Sequence, residues 1–213
     1  MCGIFGAIGR GGVYSEMKPA LDRLSYRGYD SAGIAALSEG KFHIDKCVGH
    51  PEKLSEKSIE SNVAIGHNRW ATHGLPTEAN AHPHISNDGK IALVHNGIIE
   101  NFLELKIFLK DQGFTVKSEP DTEIIPNLIQ HYYTEKGGLA EAFAAASRVM
   151  RGAYAVVFIH SDFPDNLFVA KLGSPICVGL GDAKAYVSSD INSLPISTKR
   201  AVALEDERFV TID

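Results

Sequence analysis

The chain has 213 residues, 44 % of them hydrophobic, and 21 basic against 26 acidic side chains give a formal net charge of −5. It is long enough to bury on the order of 70 % of the surface its unfolded form exposes, but it carries no basic stripe for nucleic acid and no polybasic patch for a membrane surface. No apolar run approaches the ~18 residues of a membrane span, and the N-terminus lacks the basic n-region of a signal peptide, so a cytoplasmic protein of one domain, residues 1–213, is expected.

Taken in chain order, Ile4 to Ile8 is a short apolar run ended by Gly9-Arg10-Gly11-Gly12, which predicts a buried strand and a loop. Residues 15–25 have helical spacing, with Met17, Leu21 and Leu24 on one face. Ala32 to Leu37 and Lys41 to Val48 predict two strands joined by a turn at Glu39-Gly40. Val63 to His67 is a further strand that leads into a turn-rich stretch, Arg69 to His84. Ile91 to His95 is β-like, and Phe102 to Gln112 predicts an amphipathic helix closed by Gly113. Helices are expected over residues 122–135, where Pro126 limits the start, and over Leu139 to Met150. Strands follow at Ala153 to Ile159, Leu167 to Lys171, Ile176 to Leu180, Ala185 to Ser188 and Arg208 to Ile212. Strands in runs and helices in pairs imply an α+β layered architecture with antiparallel sheets.

Cys2 stands directly behind the initiator. Removing Met1 would leave a thiol and a free α-amine on one residue, a nucleophile beside its own base. An amine with a pKa of about 7.7–8.0 can take the proton of a thiol near 8.5. A small buried hydrophobe would explain the same residue. With Cys47 and Cys177 it makes no CxxC pair, zinc-ribbon spacing or disulfide framework, which fits a reducing compartment.

The polar residues concentrate between His67 and Asn101. Arg69 and Trp70 end a strand ahead of a Gly74/Pro76 turn; the guanidinium suits a carboxylate and the indole could cover a ligand. Their alternative roles are pairing with a surface acid and anchoring the loop in the core. His82 and His84 share a side in extended chain and with His95 could ligate a metal. Partner carboxylates are not evident nearby, so neither metal nor cofactor is expected. Asn96-Gly97 is a strong hairpin signal, or else an oxyanion hole built from the Asn96 amide and the Gly97 N–H. Asp121 and Thr122 suit a helix N-cap, and a carboxylate there could equally hold an ammonium. Residues 26–33 (Tyr-Arg-Gly-Tyr-Asp-Ser-Ala-Gly) have turn chemistry.

MCGIFG at the start, YRGYDSAGIA at 26–35, RWATHG at 69–74, NAHPH at 80–84, VHNGIIEN at 94–101 and DTE at 121–123 together resemble the class II glutamine amidotransferases, the N-terminal-nucleophile group. More narrowly, they look like the glutaminase domain of the isomerising glutamine–fructose-6-phosphate aminotransferases. The resemblance implies a four-layer α/β/β/α sandwich of two antiparallel sheets and L-glutamine as substrate. It implies Cys2 as nucleophile, Asn96 and Gly97 as oxyanion hole, Arg69 on the substrate carboxylate and Asp121 on its ammonium. Trp70, Thr72, His73 and His82 would surround the substrate, and Arg27 would support the N-terminal region. A sugar-isomerase domain, and a homo-oligomer formed through it, would lie outside these residues. The alternative is a catalytically silent binding or regulatory domain of the same fold.

Overall fold

The computed structural model describes residues 1–71 and 74–213. A seven-stranded antiparallel sheet has the order β11-β9-β10-β1-β4-β2-β3, and a five-stranded antiparallel sheet the order β12-β8-β7-β6-β5. The first sheet comprises β1 (Gly3–Gly9), β2 (Ser31–Ser38), β3 (Lys41–Val48), β4 (Val63–Arg69), β9 (Cys177–Leu180), β10 (Lys184–Ser188) and β11 (Arg200–Ala203). The second comprises β5 (His84–Ile85), β6 (Ile91–Gly97), β7 (Tyr154–His160), β8 (Phe163–Leu172) and β12 (Arg208–Ile212). Helix α1 (Tyr14–Arg23) covers the outer face of the first sheet; α2 (Phe102–Asp111), α3 (Ile124–Lys136) and α4 (Leu139–Val149) cover that of the second. The result is a four-layer α/β/β/α sandwich.

Side-chain alternation along the strands builds these layers. Ile4 and Ile8 of β1, Val63 and Ile65 of β4, Ala92 and Val94 of β6, and Val157 and Ile159 of β7 meet in the core between the sheets. Phe5, Ala7 and Ala64 face α1, while Ile91, Leu93, Val156 and Phe158 face the other helices. The central strands are buried on both faces, so they show near-continuous apolar runs. Gly66 lets α1 approach closely: a Cβ there would lie 3.1 Å from Met17 Cε and 3.2 Å from Leu21 Cδ1.

Every strand and helix anticipated from pattern is present. The two strands not anticipated, β5 and β11, have two and four residues, too few for a period to register. Among the described residues no helix is long and apolar enough to cross a membrane.

Asn96-Gly97 does not make a hairpin turn. Strand β6 runs through both residues, pairing Asn96 with Ala155 and Gly97 with Tyr154, and the Ile98 N–H donates to Ala153 O at 2.9 Å. Gly97 has φ +127°, and a Cβ there would fall 2.0 Å from Ala153 O. Only glycine fits that backbone. Gly97→Ala is expected to cost about 3 kcal/mol or more and to lower the melting temperature by about 10 °C, which a thermal unfolding curve reads directly.

Candidate active site

The alternation that fills the inter-sheet core also places the polar residues. Continuing the inward series past the apolar residues leads to Cys2 one residue ahead of β1, to His67 and Arg69 on β4, and to Asn96 on β6. Register brings them together: Ile4 faces His67, and Gly3 faces Asn68. At this end of the sandwich the core changes from aliphatic to polar, and a cavity of about 220 Å³ opens. Its lining includes Cys2, Arg69, Trp70, His82, His95, Gly97, Asp121 and Thr122.

The Cys2 thiol rests on the Trp70 peptide. Trp70 N–H donates to Sγ at 3.3 Å, and Sγ lies 3.6 Å from Trp70 O. Burial pushes the Cys2 thiol up; the Trp70 backbone, the positive N-terminus at Met1 and Arg69 draw it down, and Asp121 opposes them. Arg69 donates to Leu75 O at 3.3 Å. Asp121 Oδ2 accepts the Ile99 N–H at 2.6 Å. Neither Asp121 nor Thr122 caps α3 through its side chain.

Gly97 offers its N–H on the cavity side. In an antiparallel ladder alternate residues turn their N–H groups to opposite edges. Ile98 donates to Ala153, one residue ahead of β7, and His95, two residues before Gly97, donates away from β7 to His82 Nδ1 at 3.2 Å. Gly97 shares the direction of His95. Asn96 lies behind Cys2: its Nδ2 donates to Cys2 O at 3.0 Å. Trp70 is 43 % exposed, so it is no core anchor; it meets the Tyr29 ring edge-on, with centroids 5.7 Å apart.

Beneath the cavity His67, His82, His84 and His95 are all buried, and burial lowers each below its ordinary value, His67 to about 3. Burial disfavours their charged form, and the tautomers of His67, His82 and His95 follow from their hydrogen-bond partners. His82 Nδ1 accepts from the His95 N–H, so its Nε2 donates to Thr122 Oγ1 at 3.3 Å. The Thr122 hydroxyl then donates to His95 Nδ1 at 3.0 Å. Among the described residues no three or more His, Cys, Asp or Glu side chains converge as metal ligands; His82 and His95 are tied into this hydrogen-bonded network, and the His84 ring meets that of His82 edge-on. His82 is thus part of the cavity wall, whereas His84 is not.

Arg27 does not reach the cavity. It pairs with Asp190 at 3.1 Å, and Tyr26 bonds the same carboxylate. The neighbouring Ser189 Oγ accepts the Ile4 N–H at 2.9 Å, so the pair braces the start of β1. Residues 28–30 grip Arg69-Trp70-Ala71. A Cβ on Gly28 would lie 2.8 Å from Trp70 N; Asp30 N–H donates to Arg69 O at 3.0 Å, and Ala71 N–H donates to Asp30 Oδ2 at 2.7 Å. Glu119 and Asn80 were not singled out by sequence. Glu119 lines the cavity and accepts from Asn80 Nδ2 at 3.3 Å, tying the loop after Trp70 to the segment before Asp121. Thr72 and His73 lie outside the described residues.

A family model of the glutamine amidotransferase domain matches residues 53–211, a span that holds Arg69, Asn96, Gly97 and Asp121. The chain belongs to this family. The amidotransferase domain is 44 % identical over 216 residues to the glutamine–fructose-6-phosphate aminotransferase (isomerizing) of Clostridium perfringens, covering 100 % of this chain and 35 % of that protein. Against the Neisseria meningitidis serogroup A protein of the same name, identity is 46 % over 212 residues, covering 97 % and 34 %. The chain therefore spans about a third of the length of these curated relatives. Among solved structures, the glutamine phosphoribosylpyrophosphate amidotransferase of B. subtilis superposes with a TM-score of 0.79 at 25 % identity, covering 99 % of this chain and 49 % of that one. The class-II glutamine aminotransferase domain protein of Silicibacter pomeroyi shares the fold alone, with a TM-score of 0.62 at 14 % identity. The sandwich is of the N-terminal-nucleophile hydrolase type.

Proposed function

We propose that this domain hydrolyses the side-chain amide of L-glutamine through a thioester on Cys2, once Met1 has been removed. The observation that carries the reading is the convergence of the Cys2 thiol, the Gly97 N–H, a guanidinium (Arg69) and a carboxylate (Asp121) on one cavity. Opposite charges grip the two ends of an amino acid, the α-carboxylate on Arg69 and the α-ammonium on Asp121. This orients the distal amide toward the thiol.

The α-amine of Cys2 takes the thiol proton and the thiolate adds to the amide carbon. The tetrahedral oxygen gains negative charge beside the Gly97 N–H and the Asn96 amide. Collapse breaks the C–N bond, and the proton held on the amine leaves with ammonia. Water, deprotonated by the same amine, then cleaves the thioester to glutamate and restores the thiol. Trp70 covers the cavity and His82 supports it, while Arg27 steadies β1; the family resemblance adds Thr72 and His73 as substrate-binding residues. In a protein of the relatives' length the ammonia would pass to fructose 6-phosphate on a sugar-isomerase domain, giving glucosamine 6-phosphate.

Acid-quenched mass spectrometry during turnover tests the reading: a glutamyl adduct on the peptide carrying Cys2 is expected, and its absence under conditions of steady glutamate release would overturn the thioester route. Arg69→Met and Asp121→Asn each remove a charge-assisted contact made equally in ground and transition states. Each is expected to raise KM for glutamine about 10- to 100-fold with kcat within about threefold. A fall in kcat at unchanged KM would contradict the assignment.

A further inference from the structure

The proposed chemistry requires Asn96 to turn an N–H, and not its carbonyl, toward Cys2. A side-chain amide can flip end for end with little change in shape, exchanging donors for acceptor. Two backbone carbonyls decide the matter. At one end Cys2 O lies 3.0 Å from Asn96 Nδ2 and can only accept. At the other end Asn96 Oδ1 lies 3.0 Å from His67 Nε2, and that nitrogen is also 3.0 Å from His95 O. A carbonyl oxygen cannot donate, so His67 Nε2 must carry the proton whichever way Asn96 points. With that proton fixed, Asn96 can only present its oxygen to His67 and its two N–H groups to the side of Cys2.

The ring is itself held in place. His67 is fully buried and stacks on His82, with centroids 4.0 Å apart and an interplanar angle of 15°. His82 is in turn fixed by the His95 N–H and Thr122 Oγ1. His67 Nδ1 is buried with no hydrogen-bond partner among the described residues, consistent with an unprotonated nitrogen. His67 does not line the cavity.

From this geometry we infer that His67 is a positioning residue: a proton locked on its Nε2 sets the orientation of the Asn96 amide and so directs an N–H donor to the oxyanion site beside Cys2. The inference rests on the reading of Cys2 as the nucleophile of glutamine hydrolysis.

Two variants and one spectrum test it in the purified chain. His67→Gln retains an N–H donor near the place of Nε2, and His67→Leu fills the space without one. Both lose the stack on His82, so their melting temperatures fall together. The Leu variant is expected to lose about 10- to 100-fold in kcat with KM within threefold, the size of effect produced by one misdirected buried hydrogen bond; Gln is expected to recover most of that rate. Equal kcat for the two variants would overturn the inference, as would a Gln variant with no recovered rate. The two-bond ¹H–¹⁵N spectrum of the wild type decides the tautomer independently of turnover, including where the Leu variant does not fold. An Nε2-protonated His67 is expected, and a ring protonated on Nδ1 alone would sink the proposal. A wild type that releases no glutamate yet shows the Nε2–H ring overturns the hydrolytic reading while leaving the orienting role of His67 in place.

Discussion

Cys2→Ala is expected to reduce glutamate release from glutamine by about a million-fold, the scale seen when a nucleophile that acts as a unit with its base is removed. Binding should survive, because Arg69 and Asp121 lie on separate elements and neither depends on the sulfur for its place. A glutamine Kd within about threefold of wild type, from calorimetry, would accompany the loss of turnover. The same loss is expected for a form that retains Met1. Burial holds the Cys2 thiol up, so it is mostly protonated at neutral pH and needs a base to react. The Cys2 thiol contacts the Trp70 backbone and no histidine, while His67 donates to Asn96 and His95 O, and His82 and His95 bond Thr122. The α-amine is the remaining base, and a Met1–Cys2 peptide bond removes it. For the processed chain, kcat/KM should rise with pH up to about 8, as the amine loses its proton and becomes able to accept another. Intact mass identifies the two forms, and glutamate release from each is the measurement. Undiminished turnover by Cys2→Ala would remove Cys2 from the reaction.

The antiparallel layering was legible because strands come in runs and helices in pairs. Which residues share a face was not, because β1, β4 and β6 are buried on both sides and read as near-continuous apolar runs, so that Cys2, His67, Arg69 and Asn96 come together only once the sheets are stacked. The Asn96-Gly97 pair was ambiguous because a hairpin and a strand end use the same residues; what separates them is the Ile98 bond to Ala153, more than fifty positions away. Residues 28–30 carry turn chemistry in sequence, but their partners are Arg69, Trp70 and Ala71, forty residues on. Local pattern holds no record of such contacts. His67 and Thr122 were passed over for the same reason. One looks like a core histidine and the other like a helix cap until Asn96, His82 and His95 are placed around them. A sharper signal was present: three polar residues, His67-Asn68-Arg69, close an otherwise apolar strand that is buried throughout, and buried polar groups must find partners.

Those partners make the fold acid-sensitive. His67, His82 and His84 are held far below their ordinary value near 6.5, His67 at about 3, because burial in this stack opposes a charge. In the unfolded chain each regains its ordinary value. Above pH 6.5 both states are neutral there and the three rings contribute no pH dependence. Below it the unfolded state binds protons that the folded state refuses, so stability falls as pH falls, by about 1.4 kcal/mol per ring per pH unit. At pH 5 His67 has withdrawn about 2 kcal/mol, and His82 and His84 shift stability in the same direction, against the 5–15 kcal/mol that is the whole stability of a typical domain. Carboxylates are almost fully ionised down to pH 5, so the histidines dominate the window from 6.5 to 5. Urea unfolding at pH 7, 6 and 5 should therefore show a steep loss of stability, with a slope of more than one proton. A free energy of unfolding that is flat across that window would mean that the rings accept protons in the folded state. The hydrogen-bonded stack would then have to rearrange where His82 Nδ1 accepts the His95 N–H, while His67 would keep the Nε2 proton that orients Asn96. Activity should fall first as the α-amine takes up its proton below about pH 8, and below pH 6.5 the further loss should track the far-UV circular dichroism of unfolding, because burial keeps His67, His82 and His84 from charging while the fold holds.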